Sequence, residues 1–146
     1  MALLQEQLLG GLGGDLKTQY DAANGKVYGI RNGVLVEIRE TVYSGLSMAL
    51  NSTITIAHGV LPARVKVELV CTVAINGYAV GDIVDITPIV FYLTNALYGV
   101  TISANAASIY LTVCSQLSLP LRPSSGVGFN PTSANFTMRA RVYDYF

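Results

Sequence analysis

Arg64-Val-Lys-Val-Glu-Leu-Val-Cys71-Thr-Val-Ala-Ile75 is the stretch on which the fold class turns. Val65, Val67, Leu69, Cys71 and Val73 fall on one face, and Arg64, Lys66, Glu68, Val70 and Thr72 on the other. A period of two belongs to an extended chain with one buried side. Asn76-Gly77 follows directly. Asn-Gly suits a hairpin turn, because both central residues of a type I′ turn need positive φ.

The same pattern repeats in both directions. Upstream, Ser52-Thr-Ile-Thr-Ile-Ala57 alternates cleanly, and His58-Gly59-Val60-Leu61-Pro62 reads as a loop in which Pro62 ends the ladder. Val42–Leu50 reads as a further strand. Asn24-Gly25 and Asn32-Gly33 bracket Lys26–Arg31 and lead into Val34–Arg39, which predicts a small three-stranded meander over 17–40. Downstream, strands are expected over Tyr78–Ile86, Ile89–Leu93, Val100–Ala104 and Ser108–Ser115, then a loop rich in Pro, Ser and Gly over 117–132. Asn135–Phe146 closes the chain, with Phe136, Met138, Ala140 and Val142 on one face and Asp144 next in line. A buried carboxylate needs a partner. The strand is therefore expected to leave the core near Val142, or to meet a neighbouring molecule with its last residues. Roughly ten short strands with regular turn signals predict an all-β fold, an antiparallel β-sandwich or jelly-roll-like knob over 41–146, preceded by a short N-terminal arm over 1–16 and the β-meander.

In the arm, Leu3, Leu4, Leu8, Leu9 and Leu12 make a narrow apolar stripe that two helical turns over 1–9 would align, before Gly10-Gly11-Leu12-Gly13-Gly14 breaks it. A docking arm and a merely self-packed terminus are both compatible with this pattern. Residues 1–14 have no basic start, so an export signal is not expected and assembly in the cytoplasm of the producing cell is.

Composition narrows the function. Charged residues are 12% of the chain, about half the usual share, while hydrophobic residues are 51%. A small monomer of that make-up would expose more apolar surface than monomers carry, so burial against other copies or partners is expected. Zero formal net charge also removes the repulsion that keeps free molecules apart. No apolar run reaches the ~18 residues of a membrane helix. The basic residues are scattered and balanced by carboxylates, which argues against a nucleic-acid surface. Arg139 and Arg141 share a strand face, expected to be solvated or inter-subunit.

No catalytic constellation stands out. His58 is the single histidine, and neither a nucleophile elbow nor a phosphate loop is present. Asp82 and Asp85 would point to opposite faces of a strand. Cys71 and Cys114 sit in apolar runs and are expected to be buried thiols, with a disulfide between them as the alternative. No metal and no cofactor are expected. The nine tyrosines against four phenylalanines and no tryptophan suit interfaces, and Tyr143, Tyr145 and Phe146 are the candidate subunit-interface cluster.

Ser52-Thr-Ile-Thr-Ile-Ala-His58-Gly59-Val-Leu-Pro62-Ala-Arg-Val-Lys-Val-Glu-Leu-Val-Cys71, with Gly77-Tyr78-Ala-Val-Gly81-Asp82-Ile-Val84, resembles segments of small β-sandwich virion proteins of bacteriophages. Gly99-Val-Thr-Ile-Ser-Ala-Asn105-Ala-Ala-Ser-Ile-Tyr110 and Ala134-Asn135-Phe136-Thr-Met-Arg139-Ala-Arg141-Val142 resemble their next hairpin and closing strand, with Phe136 where a Trp would be expected. The resemblance spans about 100 residues from Thr41 onward and implies a virion component, commonly a homotrimer. A capsid decoration, cement or head-fibre protein is the first expectation. It would dock on the major capsid protein or other virion proteins through Leu3, Leu4, Leu8, Leu9 and Leu12. A tail-fibre or baseplate module binding a host surface receptor through loop 117–133 is the second.

Overall fold

The computed structural model describes residues 5–6, 18–87, 91–93, 96–120 and 128–146. Among them there is no helix. Fourteen strands form: β1 (Gln5–Glu6), β2 (Thr18–Asp21), β3 (Lys26–Arg31), β4 (Val34–Leu46), β5 (Ser52–Ala57), β6 (Arg64–Cys71), β7 (Ile83–Asp85), β8 (Phe91–Leu93), β9 (Ala96–Tyr98), β10 (Val100–Ala104), β11 (Ser108–Val113), β12 (Leu119–Pro120), β13 (Gly128–Phe129) and β14 (Phe136–Tyr145). A seven-stranded sheet runs β1-β2-β3-β4-β14-β6-β7, and a three-stranded sheet runs β10-β11-β5. Two small ribbons, β8-β9 and β12-β13, complete the strand set. The two larger sheets are antiparallel and pack face to face as a β-sandwich.

Side-chain alternation decides which faces meet. On β14, Phe136, Met138, Ala140, Val142 and Asp144 are buried while the residues between them are half-buried. On β6, Val65, Val67, Leu69 and Cys71 point the same way; on β11, Ile109, Leu111 and Val113 point back at them. These residues, with Ile56, Val100 and Leu117, form one core. Tyr78, Phe129 and Phe136 close one end as an aromatic cluster with ring centroids 5.7–6.2 Å apart.

The long strand β4 does two jobs. Its first half pairs with β3, and its second half pairs with β14 as far as Leu46, with a bulge opposite the Met138–Ala140 step. The meander β2-β3-β4 and the sandwich therefore share one continuous strand through residue 40. Asn32 and Gly33 both have positive φ, 52° and 77°, as a type I′ turn requires. The Asn24-Gly25 turn differs from the expected one. Only Gly25 has positive φ, and Asp21 pairs with Lys26 across a four-residue loop. The carboxylate of Asp21 accepts the Ala23 N–H and the side chain of Asn24 accepts the Lys26 N–H, so two local side-chain turns replace the tight one.

Two other elements end earlier than their periodicity suggests. β6 stops at Cys71 because the N–H groups of Thr72 and Val73 both donate to the Asn135 carbonyl, which swings the chain out of the ladder and leaves Val73 exposed. β7 starts only at Ile83, after a turn at Gly81 (φ 92°). At the other end of the chain, Gln5–Glu6 is a strand paired with β2, where helical turns were expected. A helix that short is marginal alone, whereas the open edge of β2 offers partners to its backbone. Leu3, Leu4, Leu8, Leu9 and Leu12 lie outside the described residues.

Candidate functional site

Two polar clusters interrupt this apolar architecture, one on each face of the large sheet. The first is inside. Asp144 does not leave the core, contrary to the expectation from its place in the closing strand: it is 8% exposed, and its partner is intramolecular. His58, at the end of β5 in the opposite sheet, brings Nε2 within 2.8 Å of both carboxylate oxygens. On its other side, His58 Nδ1 lies 2.7 Å from the Tyr43 hydroxyl, with the two rings edge to face. The imidazole carrying its proton on Nε2 satisfies every group: Nε2–H donates to Asp144, and Nδ1 accepts from Tyr43 O–H.

Local structure explains how these residues meet. Tyr43 and Asp144 lie on the core-facing side of neighbouring strands β4 and β14. The N–H groups of His58 and Gly59 both donate to the Ala107 carbonyl, which anchors the turn to the β10-β11 connection and aims the ring inward. Gly59 has φ 81°, so the residue after His58 turns in a conformation that glycine adopts without strain. The order carboxylate–imidazole–hydroxyl is that of an acid–base relay. Here the hydroxyl is a tyrosine's, and none of the three residues lines either of the clefts described below. What the geometry does is pin one sheet to the other at the open end of the sandwich.

The second cluster lies on the outer face. Register places Arg139 opposite Glu68, Arg141 opposite Lys66, and Asp85 on the far side of Glu68. Glu68 is only 1% exposed although no sheet among the described residues covers that face, because its neighbours' long side chains fold over it. Arg139 approaches to 2.7 Å, Lys66 to 3.2 Å and Arg141 to 3.5 Å. Lys66 also pairs with Asp85 at 3.3 Å, and Arg141 with Glu40. Burial alone would push the Glu68 carboxyl up; hydrogen bonds and charge from Arg139 and Lys66 outweigh it and hold the group below its ordinary value. Burial likewise works against charge on Lys66, and Glu68 and Asp85 reverse it, leaving the ammonium above its ordinary value. Arg139 and Arg141 are thus tied into an acid–base lattice within the chain. Burial pushes the Tyr143 hydroxyl up.

The expected aromatic cluster is divided. Tyr143 and Tyr145 lie half-buried on this outer face, whereas Phe146 is 70% exposed and points to the opposite side under the Arg39 guanidinium, 3.3 Å from the ring centroid. Cys71 and Cys114 are both buried and free, with no disulfide between them. Asp82 accepts the Ala79 N–H within its turn, and Asp85 faces Lys66. Among the described residues, no group of three or more His, Cys, Asp or Glu could hold a metal ion, and no helix is long and apolar enough to cross a membrane.

Among the described residues, two clefts bear on function. The larger, about 740 Å³, lies where β4 parts from β14, between residues 45–50 and the 130–133 turn. Leu46, Met48 and Phe136 line it with the hydroxyls of Thr72 and Thr132, and no charged residue does. The smaller, about 130 Å³, lies beside Leu69, Val84 and Leu119.

No protein-family model matches the chain, and no curated protein or solved structure matches it significantly.

Proposed function

We propose that this protein is a structural component of a bacteriophage particle that decorates or stabilises the capsid as a homo-oligomer, working through surface contacts rather than chemistry. One observation carries the reading most directly. Among the described residues thirteen large apolar side chains are exposed, including Ile30, Val34, Leu35 and Phe146, and the chain carries no net charge. A free monomer gains nothing from such a surface, while an assembled one buries it. Both polar clusters favour the same reading, since their groups are committed to each other and serve to rigidify a scaffold. The resemblance of the strands from Thr41 onward to phage virion proteins supplies the setting. The test is co-sedimentation of the purified protein with empty capsids of the phage that encodes it. Saturable binding at a fixed number of copies per capsid is the expected result, and failure to bind at micromolar concentration refutes the proposal.

A second reading, a tail-fibre or baseplate module that binds a host receptor, is favoured by the uncharged 740 Å³ cleft with its hydroxyl rim. That lining suits a neutral ligand. Binding to host cells that Thr72→Trp abolishes, with capsid binding absent, would replace the first reading by this one.

A further inference from the structure

The outer face of the three-stranded sheet differs from that of the large one. On β5, β10 and β11, Ile56, Val100, Ile109, Leu111 and Val113 point into the core. Register lays out the residues between them as a grid: Thr101, Thr112 and Thr53 in one row, Ser103, Tyr110 and Thr55 in the next, and Ser108 with Ala57 in a third. Seven of these eight carry a hydroxyl and none carries a charge. Those on the two outer strands are exposed, and the central three are half-buried. The large sheet is the reverse: its outer face holds Glu68, Lys66, Asp85, Arg139 and Arg141 in an ion-pair lattice.

The grid is held in place from within. The Thr53 and Thr112 hydroxyls share a hydrogen bond of 2.9 Å. Asn105 Oδ1 accepts the N–H groups of Ala107 and Ser108, and its Nδ2 donates to the Tyr110 hydroxyl at 3.4 Å. The Tyr110 ring therefore leans along the sheet toward the β10-β11 turn. Threonine is stiff at χ1, so its hydroxyls have little freedom to lose when a ligand binds.

What this face lacks decides what it can hold. Nucleic acids and anionic lipids need clustered Lys and Arg, and a hard cation needs carboxylates; the grid has neither. Protein interfaces draw their binding energy from Trp, Tyr and Arg, with Ser and Thr under-represented. Strand spacing and rise make the face about 14 Å by 20 Å, on the order of 300 Å², under half of the ~800 Å² that each partner gives to a standard protein interface. A neutral sugar chain meets every feature. Its hydroxyls donate and accept as those of Ser and Thr do. The C–H face of a sugar ring packs on the Thr methyls and the Tyr110 ring. We propose that the outer face of the β10-β11-β5 sheet is a binding site for a neutral polysaccharide, with Tyr110 at its centre and the flanking hydroxyls as its hydrogen-bonding partners. None of these residues lines either cleft, and the site does not depend on capsid binding.

Isothermal titration calorimetry of the full-length chain with hexasaccharides of glucose, galactose, mannose and N-acetylglucosamine tests it, with hexagalacturonate as the charged comparison. The expected result is saturable binding of at least one neutral hexasaccharide, with hexagalacturonate about tenfold weaker or worse. Tyr110→Ala should weaken that binding about tenfold, Tyr110→Phe by no more than about threefold, and Thr72→Trp in the large cleft should leave it unchanged. If Tyr110→Ala misfolds by circular dichroism, Thr55→Lys with Ser103→Lys, both exposed and in the same row, takes its place with the same expected loss. No binding of any neutral hexasaccharide overturns the inference and leaves the capsid reading standing. Binding lost in Thr72→Trp but kept in Tyr110→Ala moves the sugar to the 740 Å³ cleft and overturns the sheet-face site. A sedimentation coefficient that falls in the double lysine variant marks the face as a contact between copies, which overturns it as well.

Discussion

His58→Ala should be far more damaging than the loss of one buried ring. The substitution strands the Asp144 carboxylate, 8% exposed and otherwise held by His58 Nε2 at 2.8 Å, and removes the acceptor of the Tyr43 hydroxyl. Leaving a buried acceptor without its hydrogen-bond partner costs about 1–3 kcal/mol, and more when the group is charged. The upper end of that range applies here, about 3 kcal/mol, because the stranded group is a carboxylate whose side chain keeps only 11% of its surface in water, with Arg39 directly across the strand pair. Asp144→Asn retains a carbonyl oxygen for the Nε2–H and should lose only about 1 kcal/mol. Removing both residues, as His58→Ala with Asp144→Ala, leaves no orphaned charge. The double variant should therefore be more stable than the sum of the single effects by about 2 kcal/mol. With no tryptophan in the chain, urea unfolding is best followed by circular dichroism. Protein concentration must be held fixed, since the proposed self-association would shift apparent stability. At a slope of about 2 kcal/mol per molar urea, His58→Ala should move the midpoint by about 1.5 M. A shift under about 0.3 M, or strictly additive single effects, would refute the view that this clasp holds the sheets together.

The outer lattice makes the protein acid-sensitive. Glu68 and Asp85 are both held below their ordinary values, so their contribution is complete above about pH 4.5 and disappears as pH falls through their lowered folded values. Glu68→Gln should be destabilised by about 1–2 kcal/mol at neutral pH. The gap to the parent should close in urea titrations as the pH drops below 4; a gap independent of pH would contradict the charge pairing. Lys66, held above 10.5, contributes fully below that pH and less as pH rises past it, so the parent should also weaken in strong alkali, and Lys66→Met should not share that loss. Met138 is fully buried in the central strand, so Met138→Ala should cost about 2–5 kcal/mol in the same assay. Thiol titration should find Cys71 and Cys114 silent in the native protein and two reactive groups in urea; a single group or none after unfolding would mean that the thiols are paired.

Much of the sandwich is legible in local chemistry. Strands Val100–Ala104 and Ser52–Ala57 fall where alternation and turn residues set them, and the Asn32-Gly33 turn has the geometry that its residue types favour. Strand ends are less legible, because long-range hydrogen bonds decide them. Nothing local to Thr72 and Val73 says that their N–H groups will find the Asn135 carbonyl, more than 60 residues away in sequence. The Asn24-Gly25 loop fails as a tight turn for a nearer reason. Asp21 and Asn24 offer their own side chains to the backbone and stabilise a longer loop.

The buried clasp shows where such reading stops and what signal was available. Asp144 stood out on an apolar strand face as a charge needing a partner, and that much follows from alternation alone. Finding the partner required knowing that the end of β5 sits over the end of β14, which is a fact about the stacking of two sheets rather than about either strand. His58 is the single imidazole in the chain, next to a glycine and at a strand end, so the carboxylate on the apolar face of the closing strand and the one histidine are each other's best candidates. The outer lattice follows a different logic. Once β14 and β6 are antiparallel neighbours, the register that buries Met138 against Leu69 also sets Arg139 against Glu68, because one shift in phase would expose the entire core face. Hydrophobic alternation on one side of the sheet thereby dictates charge pairing on the other. The meander is held less tightly: among the described residues no second sheet packs on it, only Gly29 and Ile38 are buried between residues 20 and 42, and Ile30, Val34 and Leu35 stay exposed.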